Sequence, residues 1–262
     1  MIVQPVSDTP ALKIDDILVI TDLHIGVEAH LGKKGVHLTS RTDDMFDTIV
    51  KAAGTDVRRI VILGDLKDSV PGSTRQEYRE IPSFCDRLLE HFDEVDIIRG
   101  NHDTSIEDFV PGAVHIFPAS GTAIGDVGLI HGHVWPSADV MSKDTLVMGH
   151  EHPTVLFKDG VGAHMSEPCW LRGEFVQGDN TRYEKLPKRF IVVPAFNRLL
   201  GGSPINAIGS QLLGPVLNSD LVDLDGAHVY LLDGLDLGNR RDLMVDDRRI
   251  RKWNSRKRSN TD

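Results

Sequence analysis

The chain has 262 residues, with 39 acidic against 29 basic side chains and a formal charge of −10. Its two cysteines, Cys85 and Cys169, cannot build a disulfide framework and stand in no paired-cysteine motif, which fits a reducing cytoplasm. No apolar run approaches the roughly 20 residues that cross a bilayer, and the segment Met1 to Asp8 lacks the basic and apolar regions of a signal peptide, so a membrane or secreted protein is not expected.

The first apolar run, 17–20, reads as a strand that ends in Asp22-Leu23-His24. A helix follows, with Thr39 or Ser40 as its cap and Phe46, Ile49, Val50 and Ala53 on one face. A second strand, 60–63, runs into Gly64-Asp65-Leu66-Lys67-Asp68. The next helix, 75–92, sets Phe84, Leu88, Leu89 and Phe92 on one side, with Cys85 among them as a core residue. A third strand, 95–98, leads into Gly100-Asn101-His102-Asp103. This strand–helix–strand alternation implies parallel pairing through right-handed crossovers. Beyond Asp103 the texture changes to short β-like runs with glycine turns: 114–117, 121–124, 127–130, 154–157, 189–193 and 228–232. These predict a second, more antiparallel sheet. Within this half, 127–130 ends in His131-Gly132-His133, and 146–148 ends in Gly149-His150-Glu151-His152.

Residues from Asp22 to His152 must converge if they share a site, and no linker separates them from the later part of the chain. We therefore read 1–239 as one domain and 240–262 as a basic tail. The tail holds nine basic and four acidic residues, +5 on a body of −15. It either grips phosphates or is a solubilising, disordered terminus.

Six of the twelve histidines lie in these five clusters, and each cluster follows an apolar run. Oxygen and nitrogen donors without thiolate suit Mn²⁺, with Fe or Zn²⁺ as alternatives. The clusters offer too many ligands for one ion and about the right number for two that share a carboxylate. Two metals roughly 3.5–4 Å apart can clamp a phosphate and activate a water for in-line attack. Asp22 and His24 share one face of their strand end and one ion. Asp65 is the best bridging carboxylate, and Asn101 supplies a neutral oxygen to the second ion.

Taken in order, Asp-x-His, Gly-Asp-x-x-Asp, Gly-Asn-His-Asp, His-Gly-His and Gly-His-x-His resemble the pattern of the calcineurin-like metallophosphoesterases, over roughly residues 15–157. The phrases 22–30, 149–153 and 194–202 resemble one branch, the archaeal phosphoesterases related to SbcD, a nuclease of double-strand-break repair. They are also similar to the bacterial ligase-associated DNA-damage-response endonucleases. The resemblance implies an α/β (α+β) fold, a four-layer α-β-β-α sandwich of two mixed sheets flanked by helices. It assigns His131 and His150 to the second ion and His152 to the first. It makes His102 a general acid or phosphate stabiliser, with Asp103 orienting it. His133 either contacts substrate or turns away. Asp68 stands where SbcD-type nucleases carry His. Lys33 and Lys34, in a loop 31–36, and Asn197 and Arg198, in 194–202, are candidate substrate contacts. The expected function is a two-metal phosphodiesterase acting on nucleic acid, a DNA-repair nuclease; the alternative is a small-molecule or nucleotide phosphodiesterase or phosphatase. The chain has no Gly-x-x-x-x-Gly-Lys-Ser/Thr loop, so an ATP-driven helicase or repair partner would be a separate chain.

Overall fold

A computed structural model describes residues 1–177 and 180–246. Its first half contains β1 (Val3–Pro5), β2 (Leu12–Ile14), β3 (Ile17–Ile20), α1 (Val27–Lys33), α2 (Thr42–Ala53), β4 (Arg59–Ile62), α3 (Arg75–His91), β5 (Glu94–Ile98) and β6 (His115–Phe117). These six strands pair in chain order, antiparallel from β1 to β3 and parallel from β3 to β6. The second half contains β7 (Thr122–Ile124), β8 (Val127–Ile130), α4 (Ala138–Met141), β9 (Thr145–Met148), β10 (Pro153–Lys158), β11 (His164–Glu174), β12 (Arg189–Val192), β13 (Ser203–Pro204), β14 (His228–Leu231) and β15 (Asp236–Asn239). Its sheet runs β13-β10-β11-β12-β9-β8-β7, and β14 joins β11 and carries β15.

The central strands are apolar on both faces because both faces are covered. Side chains alternate across a strand. Leu18, Ile20, Ile60, Ile62 and Ile97 meet α2 and α3 through Ile49, Ile81, Phe84 and Leu88. Ile17, Val19, Val61 and Ile98 point the other way and meet Leu129, Val147, Trp170 and Ile191 of the second sheet. That seam between sheets is the middle of the sandwich. Cys85 is a core residue, as expected.

The sandwich has the expected layers, with instructive departures. The outer layer on the second sheet is one turn, α4, plus irregular chain that contributes Tyr183, Leu186, Leu212 and Leu217. The centre of that sheet, β8-β9-β12, is parallel; antiparallel pairs flank it, and a short parallel pair of β10 with β13 closes one edge. The segment 31–36, expected as a loop, is helical through Lys33. Helix α2 begins after Arg41 with no side-chain cap; the hydroxyl of Ser40 instead donates to Glu80 on α3 at 2.7 Å. Arg240, expected in the tail, is packed into the body: its Nε donates to the Ile205 carbonyl at 2.7 Å and its guanidinium pairs with Asp225 at 2.6 Å. The tail from 247 onward lies outside the described residues.

Candidate metal centre

β3, β4 and β5 of one sheet and β8 and β9 of the other end at a common edge, and a ligand-bearing cluster follows each. The backbone there is unusual. Asp22, His24, Asp65, His150 and His152 all adopt positive φ, at 55, 43, 52, 69 and 47°. Residues with a Cβ visit that region at a cost of about 1–3 kcal/mol each, and only where the surroundings enforce it. Here cross-bonds between loops enforce it: the amide of Asp22 donates to the Gly64 carbonyl at 3.1 Å and that of His24 to the Asp65 carbonyl at 2.9 Å. The glycines leave room for this approach. A Cβ on Gly100 would stand 2.2 Å from Asp65 Oδ1, and one on Gly149 would stand 2.0 Å from Thr21 Oγ1.

The result is three overlapping groups of ligand atoms, each within 4.8 Å: Asp22 with His24 and His152, Asp65 with His131 and His150, and His24 with Asp65 and His102. Asp65 belongs to two of them. Its Oδ2 lies 3.5 Å from His24 Nε2 and 3.3 Å from His131 Nε2. Asn101 Oδ1 is 3.1 Å from His131 Nε2, and Asp22 Oδ1 is 3.1 Å from His152 Nε2. Among the described residues, His24 Nε2 is buried without a well-formed hydrogen bond, and Asp22 Oδ1 has only the ring nitrogen of His152 close by. Buried polar atoms are rarely left so, and orphaned acceptors in an oxygen and nitrogen donor set fit divalent cations.

Outer contacts fix which ring atom faces inward. The His131 Nδ1 hydrogen is given to the Leu63 carbonyl at 2.6 Å, which leaves Nε2 for Asp65. His24 Nδ1 meets Asp68 Oδ1 at 3.2 Å. His102 Nδ1 bonds to the Asp68 carbonyl, so Nε2 is its other ring nitrogen, with no hydrogen bond among the described residues. Electrostatics sort the protons. Burial opposes ionisation of Asp22, but the neighbouring histidines, His152 first, hold its carboxyl well below the usual range. Asp65 is lowered the same way, against burial, by His131. Reciprocally, His131 is pushed up to about 9, where Asp65 overcomes the effect of burial. Burial, then the charge of His131, pushes His133 and His150 down to about 4, so both present neutral imidazoles.

Asp103 does not orient His102. It is fully buried, and its carboxylate accepts from the amides of Asp65 and Gly100, both at 2.8 Å, and of Lys67 at 3.2 Å. It stitches the loops after β4 and β5 together. Burial, then the nearby Asp65 charge, pushes its carboxyl up. Asn197 is also buried rather than facing a substrate: its amide donates to the Leu23 carbonyl at 2.8 Å and its oxygen accepts from Leu199 at 3.0 Å. It buttresses the Asp22–His24 turn from 174 residues away. Arg198 is exposed and reaches the Asp8 carbonyl at 3.4 Å. Lys33 and Lys34 are exposed at the end of α1 and make no bond to the cluster among the described residues. Instead His30, one turn earlier, stands 3.7 Å from Asp68. His133 does lie at the site, its ring 5.2 Å from that of His131, and its Nδ1 has no hydrogen bond among the described residues.

Two supports of the site are not evident from the metal-ligand motifs. Lys67 is fully buried, and its Nζ donates to the carbonyls of Ser69 and Gly72. Glu77 is equally buried and accepts from the amides of Asp68 at 3.1 Å and Ser69 at 2.6 Å. A sequence signal for Glu77 exists, since Thr74-x-x-Glu77 is a capping box at the start of α3.

A family model described as calcineurin-like phosphoesterase matches residues 16–183. No curated protein matches significantly. Solved structures with a similar chain path include the nuclease MPE of Pseudomonas putida, 17% identical with a TM-score of 0.48 over 87% of this chain and 89% of that one. YfcE, a phosphoesterase from E. coli, is 16% identical with a TM-score of 0.37 over 85% and 96%. A metallophosphoesterase from Sphaerobacter thermophilus is 14% identical with a TM-score of 0.33 over 87% and 90%.

Proposed function

We infer that this chain, which belongs to the calcineurin-like phosphoesterase family, is a two-metal phosphodiesterase that cleaves nucleic acid, as a DNA-repair nuclease. Metal-dependent phosphoester hydrolysis follows from the family. The two-metal reading rests on one observation: a single oxygen of Asp65 faces a histidine of each ligand group. Asp22, His24 and His152 would hold one ion, Asn101, His131 and His150 the other, and Asp65 both. The ions, of which Mn²⁺ suits this donor set, supply Lewis-acid polarisation of the phosphate and an activated water.

The protein's own part is to aim and to move protons. The Leu63 carbonyl and the Asp68 carboxylate turn Nε2 of His131 and His24 inward. His102, its ring 4.7 Å from that of His24, has Nδ1 engaged and Nε2 available to protonate the leaving oxygen. His133 stands at the edge of the second group, where it can touch a bound phosphate.

Support for nucleic acid comes from the likeness of 22–30, 149–153 and 194–202 to repair nucleases. The last of these phrases carries Asn197, which props the Asp22–His24 turn, so that likeness falls on the site itself. The test is a substrate panel in Mn²⁺: single- and double-stranded DNA, RNA, bis-p-nitrophenyl phosphate and p-nitrophenyl phosphate. DNA and the diester should be cleaved and the monoester spared. Cleavage of the small diester alone would favour a small-molecule phosphodiesterase. Elemental analysis should find close to two ions per chain and a marked loss in Asp65→Asn. One ion at saturation with full activity would overturn the two-metal reading.

A further inference from the structure

A cavity of about 540 Å³ opens at the other end of the sandwich, within the size range of small-molecule sites. One wall is the second sheet where β9 and β12 begin, with Thr145 paired to Arg189. The proposed metal ligand His150 follows the far end of β9. Five residues of roughly extended chain separate the two places, on the order of 15 Å.

Two arginines line this cavity. Along β11, Trp170 and Arg172 share a face; Trp170 fills the seam between sheets, and Arg172 enters the cavity where the seam opens. Arg172 is opposite Ile191 and Glu174 is opposite Arg189. The two arginines are therefore diagonal neighbours on one face, about 7–8 Å apart. Among the described residues, neither has a carboxylate within ion-pair distance; the Arg172 guanidinium lies over the Tyr230 ring, 5.1 Å from its centroid, and Arg189 acts on Asp144 only through space. The buried Nε of Arg172 has no acceptor among the described residues. Arg189 donates from Nε to Thr145 Oγ1 at 3.0 Å and forms no ion pair among the described residues.

This departs from the rest of the molecule. Arg189 is exposed, so the departure lies in Arg172, which is partly buried; the other arginines drawn toward the interior each hold a carboxylate: Arg59 with Asp96, Arg99 with Glu107, Arg240 with Asp225. Two like charges side by side on a sheet repel, and a partly desolvated guanidinium without acceptors is a costly arrangement. Burial accordingly pushes Arg172 below its ordinary value. An oxyanion between the two would supply what is missing.

We propose that this cavity is a second binding site, for a small organic phosphate whose phosphate group is held by Arg172 and Arg189. Two planar forks offer two charges and paired N–H donors, which match a phosphomonoester dianion better than a single carboxylate. Glu174, opposite Arg189, and Asp223 also line the cavity and would repel any further anionic group, so the site favours a ligand with one phosphate and an otherwise uncharged body.

The probes are 5′-AMP, inorganic phosphate, citrate and adenosine, titrated calorimetrically into the metal-loaded protein and into Arg172→Met and Arg189→Gln. Wild type should bind AMP in an event that both variants weaken about tenfold or more, while adenosine gives none. Bis-p-nitrophenyl phosphate turnover should stay normal in both variants, which reports an intact fold and metal centre. Tighter binding of citrate than of AMP would overturn the phosphate assignment. AMP binding unchanged in both variants, or no AMP binding by wild type, would overturn the site. If Arg172→Met fails to fold, Arg189→Gln decides alone.

Discussion

Asp68 serves two histidines at once: its carboxylate orients His24 and its carbonyl holds His102. In the proposed reaction the first contact would serve metal binding and the second proton delivery, and a substitution can part them. His102→Ala should keep both ions by elemental analysis and lose about 10²–10⁴-fold in turnover on DNA, the usual contribution of a positioned general acid. The loss should be much smaller on a nitrophenyl diester, whose leaving group hardly needs a proton. Loss of metal in His102→Ala would instead make it a ligand. At this scale the donor residues are legible in the sequence, because each stands just past an apolar run that reads as a buried strand. The positive φ of Asp22, His24, Asp65, His150 and His152 is not; it is imposed by bonds between loops that no local pattern records. The role of Asp103 is hidden for the same reason. Adjacency to His102 suggests a partner, while its oxygens are taken by amides on two different loops.

The segment between β4 and α3 is an irregular element with its own internal frame. Lys67 ties its carbonyls from within, and Glu77, from the first turn of α3, ties its amides. Because Asp68 lies in this segment, Glu77 should act on the chemistry without touching substrate. Glu77→Ala would strand buried N–H groups at roughly 1–3 kcal/mol each, so thermal unfolding should come at a lower temperature. With His102 loosened, turnover on DNA should fall further than turnover on the nitrophenyl diester, while metal content stays near two. An equal fall on both substrates would leave Glu77 a purely structural residue. The capping box makes this helix start readable. The start of α2 is not, since Ser40 is drawn away by Glu80, a residue 40 positions distant. The mixed second sheet is likewise hidden, because short apolar runs carry no sign of parallel or antiparallel partners.

For the whole molecule, charge is segregated along the chain. Residues 247–262 hold seven basic side chains against two acids, on a body that is strongly acidic. Deleting them should weaken DNA binding and flatten its salt dependence, by about 0.7–0.9 in log–log slope for each phosphate no longer neutralised. Hydrolysis of bis-p-nitrophenyl phosphate should not change. Unaltered DNA affinity across a salt series would make this end a solubilising terminus. The two sheets have a further tie besides their apolar seam. Asp22, His24, Asp65 and Asn101 come from the first sheet's loops, and His131, His150 and His152 from the second's. An ion held between them would act as a rivet through both halves of the sandwich, and riveted halves come apart together. Folding and occupancy are then linked by mass action. At a hundredfold excess of free ion over its dissociation constant, each independently binding ion adds about 2.7 kcal/mol to the folded state. Melting temperature should therefore climb with the logarithm of free Mn²⁺ and drop on chelation, whereas in Asp65→Asn it should hardly respond to either.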